Sequence, residues 1–333
     1  MRIAVPKEIK QGEKRVALVP DVINKLTRLG LEVVIESGAG IHSQASDLQF
    51  TQQGATVKQA DVLSDADVVL SVQPLTPDQI SKLKKGAITI SFLSPVTSID
   101  SIDAATKGGV TAFSLELVPR ISRAQSMDAL TSQALCAGYR AAIVGAELSP
   151  RFAPMLMTAA GTVTPAQVLV LGAGVAGLQA IATSRRLGSV VSAYDVRPAS
   201  ADEVRSMGAT FIELELEAIE GAGGYAREMS EDRAAKQREL LTPFIAKSHI
   251  VITTAAVPGR QAPRLMTKAM VNSMAPGTII VDLAAETGGN VEGSKPGEVI
   301  ETSVVCAFGV EKMFRANFHS MHRFYTHEML LIY

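Results

Sequence analysis

A glycine-rich turn between an apolar run and a helix-forming run is the strongest chemical signal in the sequence. Residues 168–171 lead into Gly172-Ala173-Gly174-Val175-Ala176-Gly177, and a second apolar run ends at Asp195, 18 residues after Gly177. Gly172 permits a tight turn, Gly174 lets the backbone approach a pyrophosphate, and Gly177 lets the helix pack closely on the strand. The pattern predicts a dinucleotide site with the pyrophosphate at the helix N-terminus.

Asp195 sets the expected preference between the two common dinucleotides. A carboxylate at the end of the second strand accepts a hydrogen bond from a ribose 2′-hydroxyl and repels a 2′-phosphate. We therefore predict that NAD(H) binds better than NADP(H). Arg197, two residues further on, weakens this preference because a guanidinium attracts phosphate.

A second polar cluster follows a strand predicted at residues 110–114. It runs Arg120-Ile121-Ser122-Arg123-Ala124-Gln125-Ser126-Met127-Asp128. In one interpretation it is a structural loop in which Asp128 or Ser126 caps the next helix. In the other it is a ligand loop at the carboxyl end of a strand, where Gln125 binds a carboxamide and an Arg120–Asp128 pair holds the loop in shape.

Strands alternate with helices around these motifs. Apolar, often β-branched runs predict strands at 2–5, 31–36, 68–72, 88–92 and 110–114, and again at 168–171, 190–194, 209–213, 250–254 and 278–282. An amphipathic helix at 20–29 should end at Gly30, and the Ala-rich segment 131–148 predicts one long helix. The expected fold class is α/β, with two doubly wound parallel-sheet domains joined by that helix.

The predicted domains are residues 1–130 and 149–311, with the linking helix at 131–148. Within the first domain, the run 6–20 is by its residues alone a charged surface loop. Within the second, residues 214–230 contain Gly221-Ala222-Gly223-Gly224-Tyr225 and are longer than a connection requires. This insertion is either a surface loop or a lid with Tyr225 at its tip.

Composition and charge exclude several classes of function. The 333 residues hold 32 Lys or Arg and 33 Asp or Glu, with no basic tract, so a nucleic-acid partner is not expected. Cys136 and Cys306 lie among small or apolar residues without a Cys-x-x-Cys motif, as expected of reduced thiols in a cytosolic protein. The charged first residues argue against a signal peptide, and every apolar run is too short to span a membrane.

Four segments together resemble one superfamily, which contains alanine dehydrogenase and the NAD(H)-binding alpha subunit (domain I) of proton-translocating nicotinamide nucleotide transhydrogenase. They are residues 6–20, the Arg120–Asp128 loop, the glycine turn and residues 281–290, VDLAAETGGN. Alanine dehydrogenases carry a substrate Lys in the segment matching residues 71–74 and a catalytic His in the one matching 91–94. This sequence has neither, and Glu286 replaces a dehydrogenase Asp.

These differences favour the transhydrogenase subunit. Oxidative deamination requires a general acid/base, whereas hydride transfer between two nicotinamide rings moves no proton at the reacting carbons. An NAD-dependent L-alanine dehydrogenase and a non-catalytic NAD(H)-binding module are the alternatives.

The resemblance also implies an assembly and an activity. It implies two Rossmann-like lobes, a homodimer, and docking on an NADP(H)-binding beta subunit and a membrane-spanning, proton-translocating domain. The activity would be Si-specific/Re-specific NAD(P)+ transhydrogenation that occurs only with the partner. NAD(H) would bind this chain and NADP(H) the partner subunit, and the location would be cytoplasmic, peripheral to the inner membrane.

Residue by residue, the resemblance implies a cofactor site. Gly172, Gly174, Val175 and Gly177 would surround the pyrophosphate, Asp195, Val196 and Arg197 the adenosine ribose, and Gly224, Tyr225, Gln237 and Ala256 the adenosine side. The nicotinamide-side constellation would be Arg120, Gln125, Asp128 and Thr131, with Ser126 and Met127 beside it. Gln125 is the candidate for contacting the NADP(H) nicotinamide, and Thr131 stands where the family usually has Ser.

Residues 312–333 depart from the superfamily pattern, in which this segment returns to the first domain. They contain three of the five His and three of the ten Phe. His319, His322 and His327 lack a fourth ligand, so a metal site is not expected.

Overall fold

Two parallel sheets organise the chain, one in each of two units. The computed structural model describes residues 1–215, 230–257 and 261–301, together with the backbone of 305–309. The boundary between the two compact units falls between Ser132 and Gln133. The two sheets confirm the predicted α/β class with two Rossmann-like domains.

The first unit contains a six-stranded parallel sheet with four helices. Its strands are β1 (Arg2–Val5), β2 (Glu32–Glu36), β3 (Thr56–Lys58), β4 (Val68–Leu70), β5 (Ile88–Ser91) and β6 (Thr111–Ser114). Its helices are α1 (Pro20–Arg28), α2 (Asp47–Gln52), α3 (Pro77–Ser81) and α4 (Ile99–Gly108). The strand order is β3-β2-β1-β4-β5-β6, with Ile3 opposite both Val33 and Val68.

The second unit contains a seven-stranded sheet and a separate hairpin. Its strands are β9 (Gln167–Leu171), β10 (Val190–Tyr194), β11 (Thr210–Phe211), β12 (Ile250–Thr253), β13 (Thr278–Asp282), β14 (Val299–Glu301) and β15 (Val305–Gly309), and the hairpin is β7 (Leu156–Thr158) with β8 (Gly161–Val163). Its helices are α5 (Ala129–Leu148, which begins in the first unit), α6 (Val175–Arg186), α7 (Ser200–Ser206), α8 (Glu231–Lys247) and α9 (Lys268–Asn272). The order is β11-β10-β9-β12-β13-β15-β14, and only β14 is antiparallel to its neighbour in this sheet.

Both sheets are covered on both faces, as continuous apolar strands require. On β9, Val168 and Val170 pack in one core, and Leu169 and Leu171 pack in the other. Apart from the β14 edge, the two sheets have the same strand order although their sequences show no repeat. In each sheet the order reverses beside the first strand, between β1 and β4 and between β9 and β12. Ligands of open α/β sheets bind at this switch point, outside the carboxyl ends of the strands.

From Gln133 onward, α5 is an integral part of the second unit. A Cβ on Gly138 would lie 2.0 Å from the Ala176 carbonyl oxygen, and one on Gly145 would lie 2.8 Å from the Ile250 side chain. Ala141 and Ala142 are buried in the same core. Small residues therefore let α5 approach the sheet and α6 closely, which explains its Ala-rich and Gly-rich composition.

Local signals set the ends of several helices. Pro20 is the first residue of α1, which is followed by Gly30 with a φ of +77°, as predicted. Among the described helices, none combines the length and apolar character needed to cross a membrane. In the same part of the chain, no group of three His, Cys, Asp or Glu residues is placed to bind a metal. The predicted insertion tip and residues 312–333 lie outside the described residues.

Candidate dinucleotide-binding site

The glycine turn after β9 leaves space for an anion. Gly172 has a φ of +102°, and its N–H donates to the Tyr194 carbonyl at 2.8 Å. A Cβ on Gly177 would lie 1.9 Å from the Gly172 carbonyl oxygen, so α6 packs closer to the turn than any side chain would permit. A Cβ on Gly174 would meet nothing within 4 Å. Because α6 begins at Val175 without a side-chain cap, its first N–H groups and positive dipole end suit an anion in that open space.

The Asp195 carboxylate joins β10 to this turn. Its Oδ2 accepts a 2.7 Å hydrogen bond from the Ala173 N–H. Arg197 donates its backbone N–H and Nε to Oδ1 at 2.9 Å each, and its Nη2 to Oδ2 at 3.0 Å. These hydrogen bonds and the charge of Asp195 raise the pKa of Arg197. Asp195, with its side chain only 8% exposed, thus accepts four hydrogen bonds, and a ribose hydroxyl must share them or displace Arg197.

The loop after β12 lies across the switch point from the glycine turn. The Thr254 hydroxyl donates to the Gly172 carbonyl at 3.0 Å. The fully buried Asn290 accepts from the Ala255 N–H at 3.0 Å and donates to the Ala255 carbonyl at 2.8 Å. Ala256, which follows, is exposed. The sequence pattern indicated Ala256 but neither Thr254 nor Asn290, although a polar residue directly after an apolar strand is a signal that could have found Thr254.

Gln237, expected on the adenosine side, is 1% exposed on α8. Its Oε1 accepts a 3.2 Å hydrogen bond from the Tyr194 hydroxyl. Burial raises the pKa of Tyr194 to about 12, so the phenol stays protonated and donates this bond at neutral pH. Val196 packs partly buried against the adjoining core. Gly224 and Tyr225 lie outside the described residues.

The polar loop after β6 holds the candidates for the nicotinamide side. Its residues Ser122–Met127 form a 3₁₀ helix directly before α5. Asp128 accepts from the Thr131 N–H at 2.9 Å and from the Thr131 hydroxyl at 2.7 Å, so it caps α5 as the structural interpretation predicted. The exposed side chains are those of Arg120, Gln125 and Ser126, whereas Met127 is half-buried. The cap fixes the loop and leaves these polar groups accessible.

The sequence predicts a charged surface loop for residues 6–20, and the structure shows that this prediction is wrong for much of the run. Val16 and Leu18 are buried in the first core. The Glu13 carboxylate is only 7% exposed and pairs with the Arg15 guanidinium at 2.7 Å. Burial would raise the pKa of Glu13, but the hydrogen bonds and charge of Arg15 lower it to about 2. Charged residues are usually exposed, but here mutual pairing permits their burial.

Glu8, from the same run, closes the switch point between β1 and β4. Its Oε1 accepts the Val72 N–H at 2.6 Å, and its Oε2 accepts the Gln73 N–H at 3.2 Å. Burial raises the pKa of Glu8 to about 7, with a further contribution from Glu13 and against the effect of the two N–H groups. An internal carboxylate therefore takes backbone donors that an anionic ligand at this edge would require.

Glu116 has the same arrangement at the end of β5. It accepts the Leu93 N–H at 3.0 Å, the Ser114 hydroxyl at 2.6 Å and the Ser94 N–H. The carboxyl ends of β4 and β5 are thus both occupied by carboxylates of the chain itself.

Comparison with known proteins places these features in a family. The models "Alanine dehydrogenase/PNT, N-terminal domain" and "Alanine dehydrogenase/PNT, C-terminal domain" match residues 4–137 and 141–330. The chain belongs to the alanine dehydrogenase/PNT family. This confirms the superfamily indicated by the four sequence segments.

The relatives include both branches of the family. The chain is 50% identical over 310 residues to the first of the separate parts of NAD(P) transhydrogenase subunit alpha of Rhodospirillum rubrum, covering 90% of this chain and 81% of that protein. It is 34% identical over 301 residues to alanine dehydrogenase of Mycobacterium tuberculosis, covering 89% and 76%. The crystal structure of a transhydrogenase from Sinorhizobium meliloti superposes with a TM-score of 0.88 at 43% identity, covering 99% of this chain and 92% of that one.

Within this family member, the buried Glu8 carboxyl makes stability depend on pH. An acid with a raised pKa binds its proton more tightly in the folded chain, so stability should fall as pH rises from about 4.5 to about 7. We expect Glu8→Gln to remove about 2 kcal/mol of this decline, measured by urea unfolding at pH 5 and pH 7.5. Glu36→Gln, which changes another carboxylate that accepts a backbone N–H (Lys7, 2.8 Å), should keep it. An unchanged decline in Glu8→Gln would contradict the assignment.

Proposed function

We propose that this chain is the NAD(H)-binding alpha subunit of a proton-translocating NAD(P) transhydrogenase. It would transfer hydride from NADH to NADP+ held by a partner subunit. The observation that carries the proposal is a dinucleotide-binding turn in a family member that lacks proton-transfer residues. The segments 71–74 and 91–94, where alanine dehydrogenases carry Lys and His, contain neither residue.

The edge of the first sheet supports this choice over amino-acid oxidation. Glu8 and Glu116 bind the backbone N–H groups of those two segments. An amino acid or keto acid brought there would meet two carboxylates instead of a cationic side chain, and repulsion would oppose binding of its own carboxylate. Hydride transfer between two nicotinamide rings requires no such site.

In the proposed reaction, the bound dinucleotide supplies the hydride and the chain positions it. The first N–H groups of α6 and the open space at Gly174 would hold the pyrophosphate, and Asp195 would accept from the ribose. Gln125, exposed on its 3₁₀ helix, would contact the NADP(H) nicotinamide of the partner. By the family resemblance, Arg120, Asp128 and Thr131 would lie on the NADH nicotinamide side. Catalysis would then consist of holding two rings near contact, without proton transfer.

Mixing the purified chain with a purified NADP(H)-binding partner domain tests the proposal. NADH oxidation coupled to NADP+ reduction should appear only in the mixture, with facial selectivity at each ring. Robust NAD+ reduction with L-alanine alone would instead identify an alanine dehydrogenase. NADH binding without either reaction would identify a non-catalytic NAD(H)-binding module.

The proposed assembly follows from this role. We propose a location on the cytoplasmic side of the inner membrane, through a partner with a proton-translocating membrane domain. Residues 1–130 and 149–311 would act as the two domains on either side of the 131–148 helix, with 312–333 returning to the first. Fractionation of cells after salt washing would report whether the chain follows the membrane partner.

Asp195 should control the choice between the two dinucleotides. We expect the unmodified chain to bind NADH much more tightly than NADPH in calorimetric titrations. Asp195→Ala should narrow the ratio of the two dissociation constants by about ten-fold or more, because it removes a repulsive charge and releases Arg197 toward a 2′-phosphate. Asp202→Ala, which removes an exposed carboxylate of the same unit, should leave the ratio unchanged. Equal affinities in the unmodified chain would refute the expectation.

We infer that the chain forms a homodimer through the β7–β8 hairpin. All six residues of the two strands are exposed, and Met157 is 74% exposed. An isolated two-stranded hairpin is marginal in water, and a second copy would cover the same patch on both subunits. Sedimentation velocity should give twice the chain mass, and Met157→Glu should give the single mass. Met207→Glu, at another exposed Met, should stay dimeric, and a monomeric unmodified chain would exclude this interface.

A further inference from the structure

Thr254 lies where the loop after β12 meets both ends of the glycine turn. Its hydroxyl donates to the Gly172 carbonyl at 3.0 Å. A Cβ on Gly172 would lie 2.6 Å from the Thr254 Oγ1, and one on Gly177 would lie 3.2 Å from the same atom. The Thr254 side chain therefore occupies the space that the two glycines leave free.

The backbone on both sides of Thr254 is held by buried polar groups. On one side, the Thr253 hydroxyl donates to Asp282 Oδ1 at 3.0 Å, and Asp282 is 1% exposed. On the other side, Asn290 binds both backbone polar groups of Ala255, and it also donates to the Pro263 carbonyl at 2.8 Å. Thr254 thus stands on a loop that is fixed from β13, and it passes that fixed position to the glycine turn.

We propose that Thr254 is a positioning residue for the dinucleotide. Its hydroxyl fixes the Gly172 carbonyl, against which α6 packs at Gly177, so it sets how the first N–H groups of α6 face the open space at Gly174. This inference rests on the proposed function in one respect, that the ligand of the turn is NAD(H). The residue does not contact the reacting carbons and acts on binding alone.

Three variants of the full chain separate positioning from general stability. Thr254→Val replaces the hydroxyl with a methyl group that cannot donate, and Thr254→Ser keeps the donor. Thr278→Val is the matched control, because Thr278 is 2% exposed and its hydroxyl donates to the Ala275 carbonyl at 2.7 Å, at the amino end of β13 and thus at the opposite edge of the sheet. Dissociation constants for NADH come from titration of NADH fluorescence, and Tm comes from circular dichroism.

We expect Thr254→Val to weaken NADH binding about ten-fold and Thr254→Ser to stay within about two-fold of the unmodified chain. Thr278→Val should lower Tm by a similar amount to Thr254→Val without changing NADH affinity. With the partner domain present, Thr254→Val should raise KM for NADH and leave kcat unchanged, since ligand orientation within the bound state is set elsewhere.

Two results would overturn the inference in distinguishable ways. Equal NADH affinities in Thr254→Val and Thr278→Val would show that the hydroxyl serves stability alone, while the proposed function would stand. Failure of the unmodified chain to bind NADH would remove the proposed function itself, and with it the ligand that Thr254 is inferred to position.

Discussion

Replacing Gly177 with Ala is expected to abolish measurable NADH binding and to cost about 3 kcal/mol of folding stability. The new Cβ would lie 1.9 Å from the Gly172 carbonyl oxygen, which is backbone and cannot rotate away. Either α6 moves outward or the turn opens, and both changes displace the N–H groups that would bind the pyrophosphate. NADH fluorescence titration and urea unfolding measure the two losses in one preparation. An affinity and a stability equal to those of the unmodified chain would contradict the close packing.

Gly174→Ala provides the matched comparison within the same turn. Its φ of −76° is ordinary for any residue, and its Cβ would meet nothing within 4 Å, so stability should be unchanged. The methyl group would nevertheless project into the space assigned to the pyrophosphate, and NADH affinity should fall by about ten-fold or more. Unaltered affinity in this variant would place the pyrophosphate elsewhere. The pair therefore separates loss of packing from loss of ligand space.

The glycine turn could be predicted because its signals are local. The apolar run, the three glycines and the helix-forming run are consecutive, and each carries its own conformational rule. The contacts that fix the turn could not be predicted in this way. Thr254 and Gly172 are 82 residues apart, and Asn290 and Ala255 are 35 apart. Only the strand order brings them together, and hydrophobic periodicity does not report strand order.

The charged run 6–20 shows the opposite limit of sequence reasoning. Its composition predicts exposure, because an isolated buried charge is strongly disfavoured. The structure places Glu13 against Arg15 and Glu8 against the N–H groups of Val72 and Gln73. Each charge has its partner, and one of the partners is a segment more than 60 residues away. The same long-range dependence explains why the three-residue strand β3 and the β7–β8 hairpin were not predicted.

Gln125→Asn is expected to slow hydride transfer by one to three orders of magnitude while leaving NADH affinity nearly unchanged, about the range that positioning of reacting groups contributes. Gln125 is exposed on the 3₁₀ helix Ser122–Met127, which Asp128 anchors to α5 by capping. Asparagine keeps the same amide and shortens its reach by one methylene. NADH affinity should derive mainly from the glycine turn and Asp195, and the substitution touches neither of them.

Two measurements on this variant decide the role of the loop, the NADH dissociation constant and the single-turnover rate with the partner domain. An interaction made only in the assembled site changes turnover without changing ground-state affinity. A purely structural residue would show the reverse, a small loss of stability with an unchanged rate. Gln52→Asn is the control, because Gln52 is an exposed glutamine at the end of α2, and its rate should match the unmodified chain. If Gln125→Asn also matches it, the Arg120–Thr131 segment has only the capping role that Asp128 and Thr131 display.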